Sequence, residues 1–439
     1  MAKKTSKRRK PTGQLSGEPL LAVFVTALVF VSAFCFFLFV RSIDNGNLPT
    51  IQQVNSRSPM KATTFSAVSN FSNAGGQAAV PSARIAVVES GPYHDWKIFA
   101  ADFRDMMRQL KIFVYPDLYR KVGSFAEIFL AHPNPFNPKI GNYVSEHLFK
   151  LALLRSSLIT TNPEEAHFFF LPFSVNHLRN DRRVHSEDAI ADFVANYVVK
   201  ISQEFTFWNA SAGADHFFVC CHSVGREASS KHPHLHNNAI QVTCSSSYFQ
   251  RFYIAHKDIG LPQVWPRRDE HPLNPPQARD KLAYFAGRIQ NSRVRQELLD
   301  LWGNDTDIEV FDKSPLRYEE GFRRSKYCIH AKGYEVNTAR LSDAMHYGCI
   351  PVIVSNYYDL PFANVLDWTK FSILINQADI SLLKKKLLSI PTEAYLAMYH
   401  DLCRVRRHFK WHIPPKGYDS FHMTAYQLWL RRGIHRLSH

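Results

Sequence analysis

The run KGYEVNTARLSDAMHYGCIPVIVSN, residues 332–356, constrains the fold of this chain more than any other segment. Its second half reads as the end of a helix, a glycine stop at Gly348 and a buried strand at 350–354. That succession belongs in an α/β protein with a parallel sheet. Its first half places Glu335 and Asp343 eight residues apart. On one helical segment they would lie about two turns apart and broadly on one side. Carboxylates so placed can accept hydrogen bonds from the sugar and ribose hydroxyls of one nucleotide-sugar, while Arg340 between them can meet a diphosphate. The plainer expectation is an ordinary Rossmann-like unit with a helix-end charge and a surface carboxylate.

The rest of the body alternates in the same way. Apolar strands are expected at 111–116, 167–173 and 215–221, with helices at 96–110, 143–156 and 186–204, the last with Ser186 as N-cap. A Pro-rich segment, 262–279, interrupts the pattern and reads as a linker. A second alternating unit follows, with strands at 281–287, 308–311, 326–330, 350–354 and 371–375 and helices at 292–302 and 315–325. Two Rossmann-like units facing a cleft would place a nucleotide at the carboxyl ends of the second sheet. The expected organisation is a tail at 1–19, an apolar span at 20–40, a stem at 41–95, a first domain at 96–275, a second at 276–385 and C-terminal helices at 386–439 that pack back on the body.

Residues 20–40 are free of charge and, as a helix, long enough for the ~30 Å hydrocarbon core of a bilayer. Lys3, Lys4, Lys7, Arg8, Arg9 and Lys10 precede them. A cleaved signal peptide would have a shorter apolar core and a small-residue cleavage site, so an uncleaved anchor is expected. The basic head then faces the cytosol and residues 41–439 the lumen. The Ser-, Asn- and Gly-rich stem holds the body off the membrane. Three sequons, at Asn70, Asn209 and Asn304, agree with a secretory location, and the modest span suits the Golgi.

Of a net charge of +15, the luminal part keeps +10 after the head, with its six bases and Glu18, is set aside. In the lumen this argues against nucleic acid and for an anionic glycan or a diphosphate, the alternative being a solvated basic surface. Cys220, Cys221, Cys244, Cys328, Cys349 and Cys403 would meet an oxidising compartment, and their pairing is left open by the sequence.

Several segments resemble the exostosin-type glycosyltransferases, in their plant cell-wall branch. They are 111–116 (KIFVYP), 143–146 (YVSE), 161–172 (TNPEEAHFFFLP), 208–219 (WNASAGADHFFV), 282–287 (LAYFAG), 325–329 (SKYCI), 333–353 and 358–362 (YDLPF). They follow one another in the family's order over roughly 109–376. The resemblance implies a type II Golgi membrane enzyme of GT-B architecture. It implies inverting transfer of a sugar from a UDP-sugar, the donor substrate, with no separate cofactor and no metal. Pectin or hemicellulose is the expected acceptor, another glycan the alternative. One departure stands out: where the family commonly has His-Asp-Trp-Gly, this chain has His222-Ser-Val-Gly225.

Such a transfer needs donor anchoring, neutralisation of the departing diphosphate and a base for the acceptor hydroxyl. Glu335 and Asp343 are the expected anchors. Arg340, with Lys332 and Arg288, is expected at the leaving group, Gly287 where backbone approaches phosphate, and Gly333 among the donor-binding residues. His222, Asp215, His216 and Glu146 are the candidate bases, each with a structural alternative as a buried hydrogen-bonded group. Asp305-Thr-Asp307 and His232-Pro-His-Leu-His236 look metal-binding, but the first reads as a turn and the second as a solvated loop. A catalytically silent partner that joins a complex with other transferases is the rival reading supported by Ser223-Val224. A lectin-like module is another, and would account for the aromatics.

Overall fold

The computed structural model describes residues 91–433 apart from 119–125, 131–140, 142, 185, 266, 268–271, 291 and 314–316. The expected membrane span, most of the stem and Asn70 lie outside the described residues. Among those described, no helix is long and apolar enough to cross a membrane.

Two all-parallel sheets organise the body. The first contains β1 (Ile112–Val114), β2 (Ile159–Thr160), β3 (Phe168–Phe170), β4 (His216–Cys220), β5 (Ile240–Thr243) and β6 (Ile259–Gly260), in the order β2-β1-β3-β4-β5-β6. The second contains β7 (Lys281–Ala286), β8 (Ile308–Phe311), β9 (Ser325–Ala331), β10 (Ile350–Val354) and β11 (Ile373–Leu374), in the order β11-β10-β9-β7-β8. Central strands such as FFF in β3 and IPVIV in β10 are buried throughout, because helices cover both faces of a parallel sheet. Segment 262–279 separates the two sheets along the chain.

The helices that position the site start near strand ends. Helix α1 (Trp96–Gln109) is capped by Asp95, and α3 (Glu187–Glu204) by Ser186, with Glu187 and Asp188 in its first turn. Helix α2 (Ser145–Leu154) precedes β2, α4 (Ser223–Ser230) follows β4, and α5 (Arg293–Trp302) follows β7. Then come α6 (Tyr318–Arg324) and α7 (Ala339–Tyr347), which Gly348 closes in the left-handed conformation that glycine adopts at little cost (φ +69°). After α8 (Thr392–Val405), helix α9 (Ser420–Arg431) returns to the first sheet. There Tyr426 and Trp429 both donate to Asp102 of α1, and Phe421 packs on Phe149 of α2.

The carboxyl ends of β4 and β5 meet those of β9 and β10. Asn337, after β9, donates to the Cys244 carbonyl after β5. Ser247 and Tyr358 form an antiparallel bridge, and Ser246 Oγ donates to the Asp359 carbonyl at 2.6 Å. Two disulfides, Cys221–Cys244 and Cys328–Cys349, tie neighbouring strands of each sheet, while Cys220 and Cys403 are free thiols. The first joins the loops after β4 and β5, where the two sheets meet.

Candidate active site

At the carboxyl end of β7 the chain turns through Gly287, and the space a Cβ would fill there is occupied by the Arg340 guanidinium. Arg340 stands in the first turn of α7, donates Nε to the Ala286 carbonyl and lies over the Phe285 ring, 5.1 Å from its centroid. Gly333, beyond the end of β9, accommodates a second guanidinium in the same way: a Cβ would lie 2.6 Å from Nη2 of Arg295. Arg295, on α5, donates to the Ala331 carbonyl at 3.1 and 3.2 Å and to the Arg288 carbonyl at 2.8 Å. Among the described residues neither arginine forms an ion pair with a carboxylate; both are held by carbonyls. Burial, and after it the neighbouring charge of Arg340, push Arg295 down to about 9. Two guanidinium ions held by carbonyls, with Asp343 acting on Arg340 electrostatically but not paired to it, form a site for an anion.

Both glycines therefore make room for arginines, which for Gly287 adds to its expected role of bringing backbone close to phosphate. Arg288 exposes its side chain and Lys332 is half-buried, both flanking the pair. Arg295 was not among the expected residues. Its signal was available in sequence, as a basic residue in the first turn of the helix that follows a strand-end glycine.

The expected carboxylate pair on one helix is corrected. Helix α7 begins at Ala339, so Glu335 lies in the preceding loop and Asp343 within the helix. Glu335 reaches across to the first sheet's loops. Its carboxylate accepts from Arg226 Nη2 at 3.1 Å, Ser245 Oγ at 2.6 Å and Gln250 Nε2 at 3.3 Å. Burial alone would raise its pKa; Arg226 and the hydrogen bonds, one of them from Ser223, outweigh this and hold it below the usual carboxylate range. Asp343 is 1% exposed, paired with Arg267 at 2.5 Å and accepting from Tyr318 Oη at 2.8 Å. A carboxylate so enclosed is a packing group as the chain stands here.

The four candidate bases separate as well. Asp215 and His216 lie at the amino end of β4, opposite the cleft, against the expectation that they face it. His216 is fully buried, with Nδ1 2.7 Å from Asp215 Oδ1 and Nε2 2.7 Å from Tyr115 Oη, and burial lowers its pKa against the pull of Asp215. Glu146, in the first turn of α2, is also fully buried and accepts from Ser174. Burial raises its carboxyl, opposed by Lys150.

His222 is at the cleft. It caps α4, with Nδ1 accepting from Val224 N at 3.2 Å, and its ring lies 4.8 Å from that of Tyr143. Burial, then Arg179 and Arg226, push it down to about 4 against the pull of Glu335. The ring is thus neutral near pH 7. With Nδ1 accepting, Nε2 carries the proton, so His222 presents a donor rather than a base.

The metal-like triplets have other partners. Asp305 and Asp307 both pair with Lys384 at 2.8 Å, and Asp305 Oδ1 accepts from the backbone N–H groups of Asp307 and Ile308 at the start of β8. His232 caps a short helix, Pro233–Asn237, in place of the expected solvated loop. Asn209 and Asn304 are exposed, and the Asn209 amide donates to the Ser202 carbonyl at 2.9 Å.

Comparison with known proteins bears on what such a cleft serves. A probable glycosyltransferase of Arabidopsis thaliana is 36% identical over 79% of this chain and 66% of its own length, so the chain spans just under two thirds of that relative. A probable β-1,4-xylosyltransferase of the same plant is 26% identical over 73% of this chain and 81% of its own. Among solved structures, a glycotransferase of kitacinnamycin aligns over 73% of this chain and 98% of its own with a TM-score of 0.30 and 10% identity, too distant to add to the fold described above. The exostosin GT47 domain matches residues 106–390, which include both sheets and every residue of the arginine pair, and the chain belongs to that glycosyltransferase family.

Proposed function

We propose that this protein is a type II Golgi membrane glycosyltransferase of GT-B architecture that transfers a sugar, with inversion, from a UDP-sugar to a cell-wall glycan. The observation that carries the donor site is the carbonyl-held pair Arg295 and Arg340 at the carboxyl ends of β7 and β9. That is where a Rossmann-like sheet receives a nucleotide. The pair would neutralise the diphosphate as it departs, with the N-terminus of α7 adding its partial positive charge. Lys332 and Arg288 lie beside the pair and can contribute to the same field. Glu335 holds the two lobes in register, and His222 offers a proton donor to an oxygen in the cleft. Pectin or hemicellulose is the acceptor favoured by the plant relatives and by the xylosyltransferase name that one of them carries. The two disulfides support a luminal body, since such bridges persist in oxidising compartments.

The placement of the four candidate bases favours one second reading, a catalytically silent partner in a transferase complex. Thermal unfolding with and without UDP tests the donor site. A ligand at a hundred times its dissociation constant adds about 2.7 kcal/mol, a shift of a few degrees. We expect that shift in the wild type and its loss in Arg295→Ala and Arg340→Ala. No shift at millimolar UDP would remove the UDP-donor reading. A shift without turnover of any UDP-sugar, with glycan acceptors supplied, would select the silent partner.

A further inference from the structure

Four large aromatic side chains stand exposed around the junction of the two sheets. Tyr248 and Phe249 follow β5, with 57% and 77% of their surface open. Tyr334 follows β9 and Tyr357 follows β10, at 78% and 59%. Folding leaves these rings in water although a buried position would be favoured for each. Phe249 and Tyr357 do not stand singly, as exposed apolar residues usually do.

Phe249 and Tyr357 come from different lobes and touch, with ring centroids 4.3 Å apart and planes at 68°. The backbone fixes them there. Tyr248 N donates to the Tyr357 carbonyl at 3.1 Å, Ser247 Oγ donates to the same carbonyl at 2.9 Å, and the Ser247–Tyr358 bridge follows directly. Tyr357 itself has φ +62°, a left-handed conformation that is uncommon for a bulky residue and that persists only where the surroundings impose it. A strained backbone here holds an aromatic ring outward, against another ring, without burying it.

The neighbours of this pair are polar. Tyr248 Oη donates to Asp359 at 3.1 Å. Gln250, next to Phe249, donates to Glu335, and Tyr334 is adjacent to Glu335 in the chain. Through Gln250 and Glu335 the pair adjoins the loop that leads from β9 into α7, whose first turn carries Arg340. A fixed, edge-to-face aromatic pair leaves ring face open to a ligand, and the polar rim offers hydrogen bonds beside it. A pyranose ring matches this surface, since its C–H groups make an apolar face while its hydroxyls project at the edge. A stable protein interface would need roughly 800 Å² per partner with a largely apolar centre, more than a few rings rimmed by carboxylate and amide supply.

We propose that Phe249 and Tyr357 form an acceptor subsite, on which a pyranose ring of a glycan chain stacks while the next ring reaches the cleft past Tyr334. This rests on the reading of the cleft as a site of sugar transfer. It does not depend on which sugar is donated.

The test titrates the full chain with xylohexaose, with hexagalacturonate and separately with UDP, and repeats each with Phe249→Ala and Tyr357→Gly. Phe249 is largely exposed, and glycine accepts the φ of Tyr357 without strain, so both variants should fold. We expect wild type to bind one of the two glycans, and either substitution to weaken that binding tenfold or more while UDP affinity stays within twofold. Unchanged glycan affinity in both variants, or no binding of either glycan by the wild type, would overturn the subsite even where UDP binds normally. Conversely, ring-dependent glycan binding without UDP binding would keep the subsite and remove the donor reading, so the two failures are distinct.

Discussion

Gly287 and Arg340 share one space: the guanidinium lies where any side chain at position 287 would have to begin. Arginine is flexible at that end, so Gly287→Ala should displace the guanidinium rather than unfold the sheet. The expected cost in stability is about 1 kcal/mol, in the range of ordinary substitutions. UDP affinity should fall tenfold or more. Because both changes act through the same cation, Gly287→Ala with Arg340→Ala should be no worse than Arg340→Ala alone. Isothermal titration of the three variants checks this, and normal UDP binding by Gly287→Ala would refute the assignment.

The Arg226–Glu335 pair joins α4 on the first sheet to the loop after β9 on the second, with side chains only 3% and 12% exposed. Removing one partner leaves the other buried and uncompensated, which costs roughly 3 kcal/mol. Glu335→Gln and Arg226→Met should each destabilise on this scale. The double variant should recover a large part, because both charges are then gone. Urea unfolding of the four proteins measures the coupling; strict additivity would show that the pair contributes nothing across the junction.

The sequence carried the parallel α/β alternation well, because long apolar strands and capped helices are encoded locally. Ser186, Gly348 and the IPVIV strand are legible from their own neighbours. Short strands such as β2 and β6, two residues each, bury too little of their own to leave a periodic trace. The site was harder for a related reason. Glu335 and Asp343 were legible as unusual residues, but their partners Arg226, Ser245, Arg267 and Tyr318 come from remote segments, and no spacing announces such contacts. Position along a strand also mattered: Asp215 and His216 lie at the amino end of β4 while His222 follows its carboxyl end, and only the direction of the sheet tells which end faces the cleft.

The Cys221–Cys244 disulfide spans 23 residues and fastens the segments that carry His222, Ser223 at the start of α4, and Ser245. Ser223 and Ser245 both hydrogen-bond Glu335. Closing a loop of that length stabilises by about 3 kcal/mol. Replacing both cysteines by serine should cost that much and also reduce the Arg226–Glu335 coupling measured above. Chemical unfolding would show both effects, and an unchanged coupling would mean that the bridge stabilises the lobe without ordering the clamp.

His330 ties acidity to the same loop. It is 1% exposed at the end of β9, with Nε2 2.9 Å from the Val336 carbonyl and Nδ1 3.2 Å from Thr338 Oγ1. The carbonyl can only accept, so Nε2 carries the proton and Nδ1 accepts from the threonine hydroxyl. Burial pushes His330 down to about 3, opposed by the Val336 hydrogen bond and aided by Arg340 and Arg295. An unfolded histidine titrates near 6.5, so between pH 6.5 and about 3 the unfolded chain binds more protons than the native one. The stability from a neutral His330 is therefore full above pH 6.5 and is lost as pH falls, at about 1.4 kcal/mol per unit. His222, pushed down to about 4, adds to the same loss. His330→Gln should be less stable than wild type at pH 7, yet lose stability more slowly between pH 6 and 4, by about 1.4 kcal/mol per unit. Carboxylates that titrate in this window act on both proteins alike and cancel in the difference. Urea unfolding at pH 6, 5 and 4 reads the two slopes, and equal slopes would show that His330 takes up its proton in the native state as readily as in the unfolded chain.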